Sequence, residues 1–288
     1  MNLIEAIRKT REGKSALGHF NISDIAAFRA IVKAAGEVGV PVIIGTSEGE
    51  AEFVDIQVAS EMVKDAREET GQSIFLNADH FRSLEKAKEA VEAGYDSVIF
   101  DGANLPLEEN IQKTKRAVDT LKAINPDVLI EGELGYIGVS SKLLDEIPEG
   151  AQIADEALPT VEDARRFVEE TGVDLLAPAV GNIHGMFKHA PNPKLNIRLI
   201  ESITKAVDTP LVLHGGSGVS DADFRFAIEA GMRVVHINTE IRVAWRKGME
   251  EALGENQEEI APYKIFPEAE RRVYEVVVKR LKLFGGLI

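Results

Sequence analysis

The sequence holds no cysteine, one tryptophan and four tyrosines in 288 residues. Without thiols it can form no disulfide, no thiolate metal site and no cysteine nucleophile. Basic residues are in deficit, 33 Lys and Arg against 48 Asp and Glu, for a net charge of −15, and they never gather into a block. That balance argues against nucleic acid or an anionic membrane as the partner. A phosphorylated small molecule stays compatible, because a local nest of backbone N–H groups binds phosphate even in an acidic protein. No apolar run approaches the ~20 residues of a membrane span, and Met1-Asn-Leu-Ile-Glu5 opens without a signal-peptide core. The expectation is a soluble, cytoplasmic protein. A G-x-G-x-x-G fingerprint is missing at the first strand–helix turn, which argues against a nicotinamide-dinucleotide enzyme. Low-complexity segments and breaks in composition are also missing, so one domain over residues 1–288 is expected.

What is present is an alternation of Val/Ile/Leu-rich runs with amphipathic stretches, repeated eight times. Strands are predicted at 15–21, 40–45, 73–79, 96–101, 127–133, 174–180, 209–214 and 233–238. Helices are predicted at 24–36, 57–69, 83–93, 107–124, 160–171, 196–207, 220–230 and 240–253, with a further C-terminal helix at 273–284. This pattern predicts an α/β fold, a (β/α)8 TIM barrel with a C-terminal helical extension; a doubly wound open sheet is the alternative.

In such barrels the chemistry sits at the C-terminal ends of the strands. The residues there are unusually polar. The first strand ends in Asn21, the third in Asp79-His80, the fourth in Asp101 and the fifth in Glu131 and Glu133. The sixth leads to His184, the seventh ends in Leu213-His-Gly-Gly-Ser-Gly218, and the eighth carries His236 and Asn238. Three neutral imidazoles on three strands, His80, His184 and His214, can form a tripod for Zn2+ with an open fourth position; the alternative is three unconnected edge histidines. Asp79 can serve as a general acid/base beside the metal or cap the following helix. On an extended chain Asp79 and His80 point to opposite faces, but at a strand end, where the backbone turns, both can still reach the mouth. Gly185, Gly215, Ser217 and Lys188 together can cradle a phosphate. His19 reads as a core or supporting group and His189 as solvated. All lysines fall in predicted helices or loops, which argues against a Schiff-base mechanism.

Taken in order, Gly18-His-Phe-Asn21, Asp79-His80, Asp101-Gly102 with Glu108-Glu-Asn110, Glu131-Gly-Glu-Leu-Gly135, Gly181-Asn-Ile-His-Gly-Met-Phe-Lys188, the Leu213–Gly218 string and Asn238-Thr-Glu240 resemble the class II, metal-dependent ketose-bisphosphate aldolases over nearly the whole chain. This family acts on fructose 1,6- or tagatose 1,6-bisphosphate. The resemblance implies that His80, His184 and His214 hold a catalytic Zn2+ or another divalent ion. That ion would polarise the C2 carbonyl of dihydroxyacetone phosphate and stabilise its enediolate. It further implies that Asp79 exchanges a proton with the C4 hydroxyl, and that Asp101 and Glu133 surround the metal or offer it a second position. Gly185, Lys188, Gly215 and Ser217 would bind the triose phosphate, with a monovalent cation nearby. Asn21, Asn238 and Thr239 would contact substrate, and Arg242 would reach the distal phosphate of a neighbouring subunit in a homodimer or homotetramer. The implied reaction is the glycolytic cleavage of fructose 1,6-bisphosphate to dihydroxyacetone phosphate and glyceraldehyde 3-phosphate. Alternatives are a related phosphorylated ketose, a metal-dependent isomerase, or a sugar-phosphate-binding homologue without turnover.

The chain departs from the family pattern at four places. Phe81 replaces a glycine, Ala103 a serine and His236 an asparagine. After Gly138 the family's glycine and Glu-Asp give way to Val139-Ser-Ser-Lys-Leu-Leu-Asp-Glu146. The polar segment from Gly138 to Leu158 is expected to act as a lid, with Glu146, or else Glu149, moving the C3 proton.

Overall fold

The computed structural model describes residues 1–138, 141–147, 149, 154–190 and 192–288. Eight parallel strands close into a barrel in the order β1-β10-β9-β7-β5-β4-β3-β2. They are β1 (Leu17–Asn21), β2 (Val42–Ser47), β3 (Ile74–Phe81), β4 (Ser97–Phe100), β5 (Leu129–Leu134), β7 (Leu175–Pro178), β9 (Leu211–Leu213) and β10 (Met232–Ile237). The open-sheet alternative is thereby excluded. β6 (Leu143–Leu144) and β8 (Met186–Phe187) form a separate two-stranded ribbon.

Helices alternate with the barrel strands. They are α2 (Ile25–Val38), α4 (Ile56–Thr70), α5 (Leu84–Glu92), α6 (Leu107–Ile124), α7 (Val161–Thr171), α8 (Ile197–Ala206), α9 (Asp221–Ala230) and α10 (Thr239–Glu255). Local signals start and stop them. Asp24 caps α2 by accepting from the Ala27 N–H, and Gly39 ends it in the left-handed conformation. Thr160 and Asp163 form a capping box on α7.

Besides the β6–β8 ribbon, three α-helices go beyond the sequence expectation. An N-terminal helix α1 (Leu3–Gly13), begun by an Asn2–Glu5 capping box, precedes the barrel, and a short α3 (Glu48–Val54) follows β2. The C-terminal helix α11 runs from Pro262 to Phe284, eleven residues longer at its start than expected at 273–284. Pro262 stands at its first position, where a missing N–H does no harm, and Pro267 lies inside it. Pro267 reads as a helix breaker in sequence but forfeits only one ladder bond near the helix start. α11 packs on α10 and α2, and its buried Arg280 joins Glu240 of α10 to Asp221 of α9.

Side chains alternate in and out along each strand, so residues two apart line the same layer. The lowest interior layer is apolar: Leu17, Ile43, Phe75, Leu129, Leu175, Val212 and Val234 form one cluster with Leu3, Ala6 and Ile7, through which α1 plugs the barrel floor. Two residues further up come His19, Asn77 and Glu131, and two further again Asn21, Asp79 and Glu133, all buried. The outward residues Phe20, Ile44, Leu76 and Ile130 join the main core beneath the helices. The interior thus changes from hydrocarbon at the floor to ionisable groups at the mouth.

Candidate active site

His80, next to last in β3, has a φ of +53°, one of three left-handed non-glycine residues among those described. The β3–β4 register also shifts between Ala78 and Phe81. This local twist overrides the strand period: Asp79 stays in the interior layer while His80 swings to the same mouth. Phe81, in place of the expected glycine, is fully buried in the main core.

His80, His184 and His214 each offer a ring nitrogen, and these lie within 4.8 Å of one another. Each ring has its other nitrogen tied. His184 Nδ1 donates to the Gly138 carbonyl at 2.6 Å. His214 Nε2 donates to Glu131 Oε1 at 2.6 Å, which leaves its Nδ1 facing His80 Nε2 at 2.8 Å. His80 Nδ1 lies 3.3 Å from Glu133 Oε2 and 3.5 Å from Asp101 Oδ2. Each of the three converging imidazoles has one nitrogen held from behind and the other turned to a common centre, where His80 Nε2 and His214 Nδ1 meet at 2.8 Å, and this is the donor set a divalent transition metal takes. Burial, with His80 adding, brings the His184 pKa down to about 4. Burial, His236 and His80 hold His214 well below its ordinary value. Both rings are therefore neutral, as ligands must be. Burial opposes charge on His80, but Asp79 and Glu133 outweigh it and hold that ring well above its ordinary value. Glu133 is raised by burial to about 7. Together with His80, Asp101 and Glu133 form a second group of potential ligands.

Asp79 is buried beside the imidazoles. Asn21 Nδ2 donates to its Oδ2 at 2.8 Å, and His236 Nδ1 stands 3.4 Å from its Oδ1. His236 stacks on His214 at 4.1 Å between ring centres and on His19 at 3.6 Å. His19 accepts from Asn77 Nδ2, and its ring fills the space that a Cβ at Gly45 would need, approaching it to 2.2 Å. The expectation of a supporting group thus holds for His19, and His189 lies exposed. Asp79 Oδ1, Asn21 Oδ1 and Asn238 Oδ1 are buried without a hydrogen-bond partner, so polar groups remain available for a ligand.

The chamber is lined by Asn21, Asp79, the three imidazoles, His236, Ser141, Gly185, Gly215, Ser217, Asn238 and Thr239. Gly215 adopts φ +60°, and a Cβ there would come within 2.1 Å of the Ile183 carbonyl. Only glycine fits. Ser217 Oγ accepts from the Glu240 N–H, which sets Ser217 at the N-terminus of α10 beside Asn238 and Thr239. Asn192, unmarked in the sequence, donates to the carbonyls of Gly185 and Ser217, both at 2.9 Å, and so joins the two glycine loops. Asn182 donates to the His214 carbonyl and accepts from the Val180 N–H.

Five expected residues lie apart from this lining: Asp101 and Glu133, which stand behind His80, and Lys188, Arg242 and Glu146. Lys188 is exposed on the ribbon and pairs with Asp145 at 2.8 Å. Arg242 pairs with Glu50 of the same chain at 2.6 Å. Glu146, like Glu149, is exposed on the segment after β6. In that 138–158 segment, residues 139, 140, 148 and 150–153 fall outside the described residues, and with them the positions where the family glutamate would stand.

Ionisable side chains and glycine loops gathered at the C-terminal mouth of a (β/α)8 barrel, around three histidines fit for a metal, define a barrel enzyme with a metal-binding active site. The family model described as class-II fructose-bisphosphate aldolase matches residues 1–286, and the chain belongs to that family. It is a metal-dependent class II aldolase, a lyase. It is 34% identical over 288 residues to the fructose-bisphosphate aldolase of Staphylococcus aureus strain Mu50, covering 99% of this chain and 97% of that one. To the probable fructose-bisphosphate aldolase of Bacillus subtilis strain 168 it is 34% identical over 289 residues, covering 99% and 98%. The YdjI aldolase of Escherichia coli K12 superposes with a TM-score of 0.81 at 29% identity, covering 99% of this chain and 96% of that one. No helix among the described residues is long and apolar enough to cross a membrane.

Proposed function

We propose that the chain cleaves fructose 1,6-bisphosphate reversibly between C3 and C4, giving dihydroxyacetone phosphate and glyceraldehyde 3-phosphate. The observation that carries this is the convergence of three imidazoles, each held from behind and turning its other nitrogen to a common centre, beside a buried Asp79. His80, His184 and His214 would hold Zn2+, which when bound supplies Lewis-acid polarisation of the C2 carbonyl. Asp79 accepts the C4 hydroxyl proton as the C3–C4 bond breaks and C4 becomes an aldehyde. The bonding pair passes toward the C2 oxygen, and C3 then takes a proton. Asn21 holds the Asp79 carboxylate in place for that transfer through Oδ2, and His236 stands 3.4 Å from Oδ1. Gly185, Gly215, Ser217, Asn238 and Thr239, at the N-terminus of α10, bind and orient the 1-phosphate end. Lys188 adds charge at that end on release from Asp145. Asp101 and Glu133 support His80. For the C3 proton the candidate is Glu146, with Glu149 second; Glu146→Gln should slow solvent exchange of that proton in dihydroxyacetone phosphate.

Residues 1–288 would act as one barrel domain in the cytoplasm, assembled as a homodimer or homotetramer. The exposed Ile25, Phe53 and Tyr263 favour assembly, and light scattering from an active monomer would refute it. Coupled detection of glyceraldehyde 3-phosphate tests the reaction, with and without EDTA and with tagatose 1,6-bisphosphate as the C4 epimer. Release that EDTA abolishes is expected from the fructose sugar; binding without turnover would sink the reading.

A further inference from the structure

One feature of the mouth bears on the far end of the substrate, given the aldolase reading above on which this inference rests. In the ring of strands β2 stands opposite β7. Gly185 lies in the connection after β7, while Glu50 lies in α3, straight after β2. His184 and His214 stand on the glycine side, in the connections after β7 and β9, and His80, on β3, stands on the side of β2. A sugar phosphate anchored on the glycine side, with its carbonyl at the imidazoles, therefore extends its remaining carbons across Asp79 toward Asn21 and Glu50. Glu50 is buried, at 7% exposure. Its Oε2 accepts from Asn21 Nδ2 at 2.8 Å and from the Ser47 N–H at 2.9 Å. Its Oε1 accepts from Arg242 at 2.6 Å, and Arg242 also donates to the carbonyl of Ser141, a chamber residue, at 3.3 Å. Arg82 and Lys188, two other basic residues of the mouth loops, are likewise paired, with Asp101 and Asp145.

We propose that Glu50 is a specificity-determining residue, which holds Arg242 and places a carboxylate where the far end of the sugar arrives. A phosphate there, with a charge of about −1.5 to −2, meets a like charge and a guanidinium already neutralised. To recruit Arg242 it must leave Glu50 buried and unpaired. A hydroxyl at the same place donates to the carboxylate without penalty. The enzyme therefore accepts ketose 1-phosphates with an uncharged, hydroxyl-bearing end nearly as well as the corresponding bisphosphates.

Fructose 1-phosphate and fructose 1,6-bisphosphate differ only at that end, and the ratio of their kcat/KM values with the metal-loaded enzyme is the test. Any effect of a substitution on Asp79 acts on both sugars and cancels in the ratio. The wild type should show a ratio within about tenfold of one. Glu50→Gln, which keeps one acceptor oxygen for Asn21 and Ser47 but removes the charge and turns an amide NH2 to Arg242, should raise the ratio in favour of the bisphosphate by about tenfold, through KM. Arg242→Ala alone should change it less than about threefold and should cancel the gain when combined with Glu50→Gln. An unchanged ratio in Glu50→Gln, or a tenfold fall in Arg242→Ala alone, overturns the proposal and leaves the aldolase reading standing. Failure of the wild type to cleave either sugar removes both.

Discussion

At the scale of single residues, the decisive feature is the left-handed backbone of His80. A period-two strand sends Asp79 and His80 to opposite faces; their place at a strand end allows a turn that reunites them, and the φ of +53° at His80 is that turn. Their roles are separable all the same. Replacing His80, His184 or His214 with Ala removes one of three donors, so bound metal measured by atomic emission should fall along with activity. Full metal content in all three variants would sink the ligand assignment. Asp79→Ala instead removes the proposed proton-transfer group and leaves the three imidazoles, so metal content should hold while kcat falls about 10²- to 10⁴-fold. A near-normal kcat would mean that another carboxylate does this work. Histidines at strand ends could be picked out from the chain alone because barrels put chemistry there. Glu50 could not, since it lies on a helix that no periodicity marked, and its meaning comes from partners 29 and 192 positions away in the chain.

At the scale of elements, the connections rather than the strands carry what was hidden. β6 and β8 are two residues each, too short for any hydrophobic period to show, yet they pair and set the course of the loop that holds His184 and Gly185. Bonds from Met186 and Lys188 to the Lys142 and Leu144 carbonyls fix that pairing. The proposed phosphate nest then depends on one side chain bridging two loops, because Asn192 bonds to both Gly185 and Ser217. Each such bond contributes about 0.5–1.5 kcal/mol. Asn192→Ala should therefore raise KM for the sugar phosphate several-fold, with metal content kept and kcat little altered. An unchanged KM would show that the two loops hold their places without it.

At the scale of the whole molecule, the barrel was legible because eight Val/Ile/Leu-rich strands alternate with amphipathic helices, and every one of the eight formed within a few residues of its expected place. α1 was not legible. Its buried face is only Leu3, Ala6, Ile7 and Thr10, and its purpose is set by a barrel floor assembled from residues up to 234. The consequence is a molecule with two ends of different duty, stability at the floor and chemistry at the mouth. Ile7 is fully buried in the floor cluster. Ile7→Ala deletes methylene groups from a packed site that relaxes only in part, at about 2–5 kcal/mol. For a chain of this size each kcal/mol lowers Tm by about 2–4 °C, so calorimetry should record a fall of several degrees. The imidazoles, Asp79 and the glycine loops stand at the opposite end of the strands, so kcat/KM at 25 °C should match the wild type. An unmoved Tm would mean that α1 does not seal the barrel. A loss of kcat/KM in protein that remains folded at the assay temperature would mean that packing at the floor is transmitted along the strands to the mouth, and that the two ends are not independent.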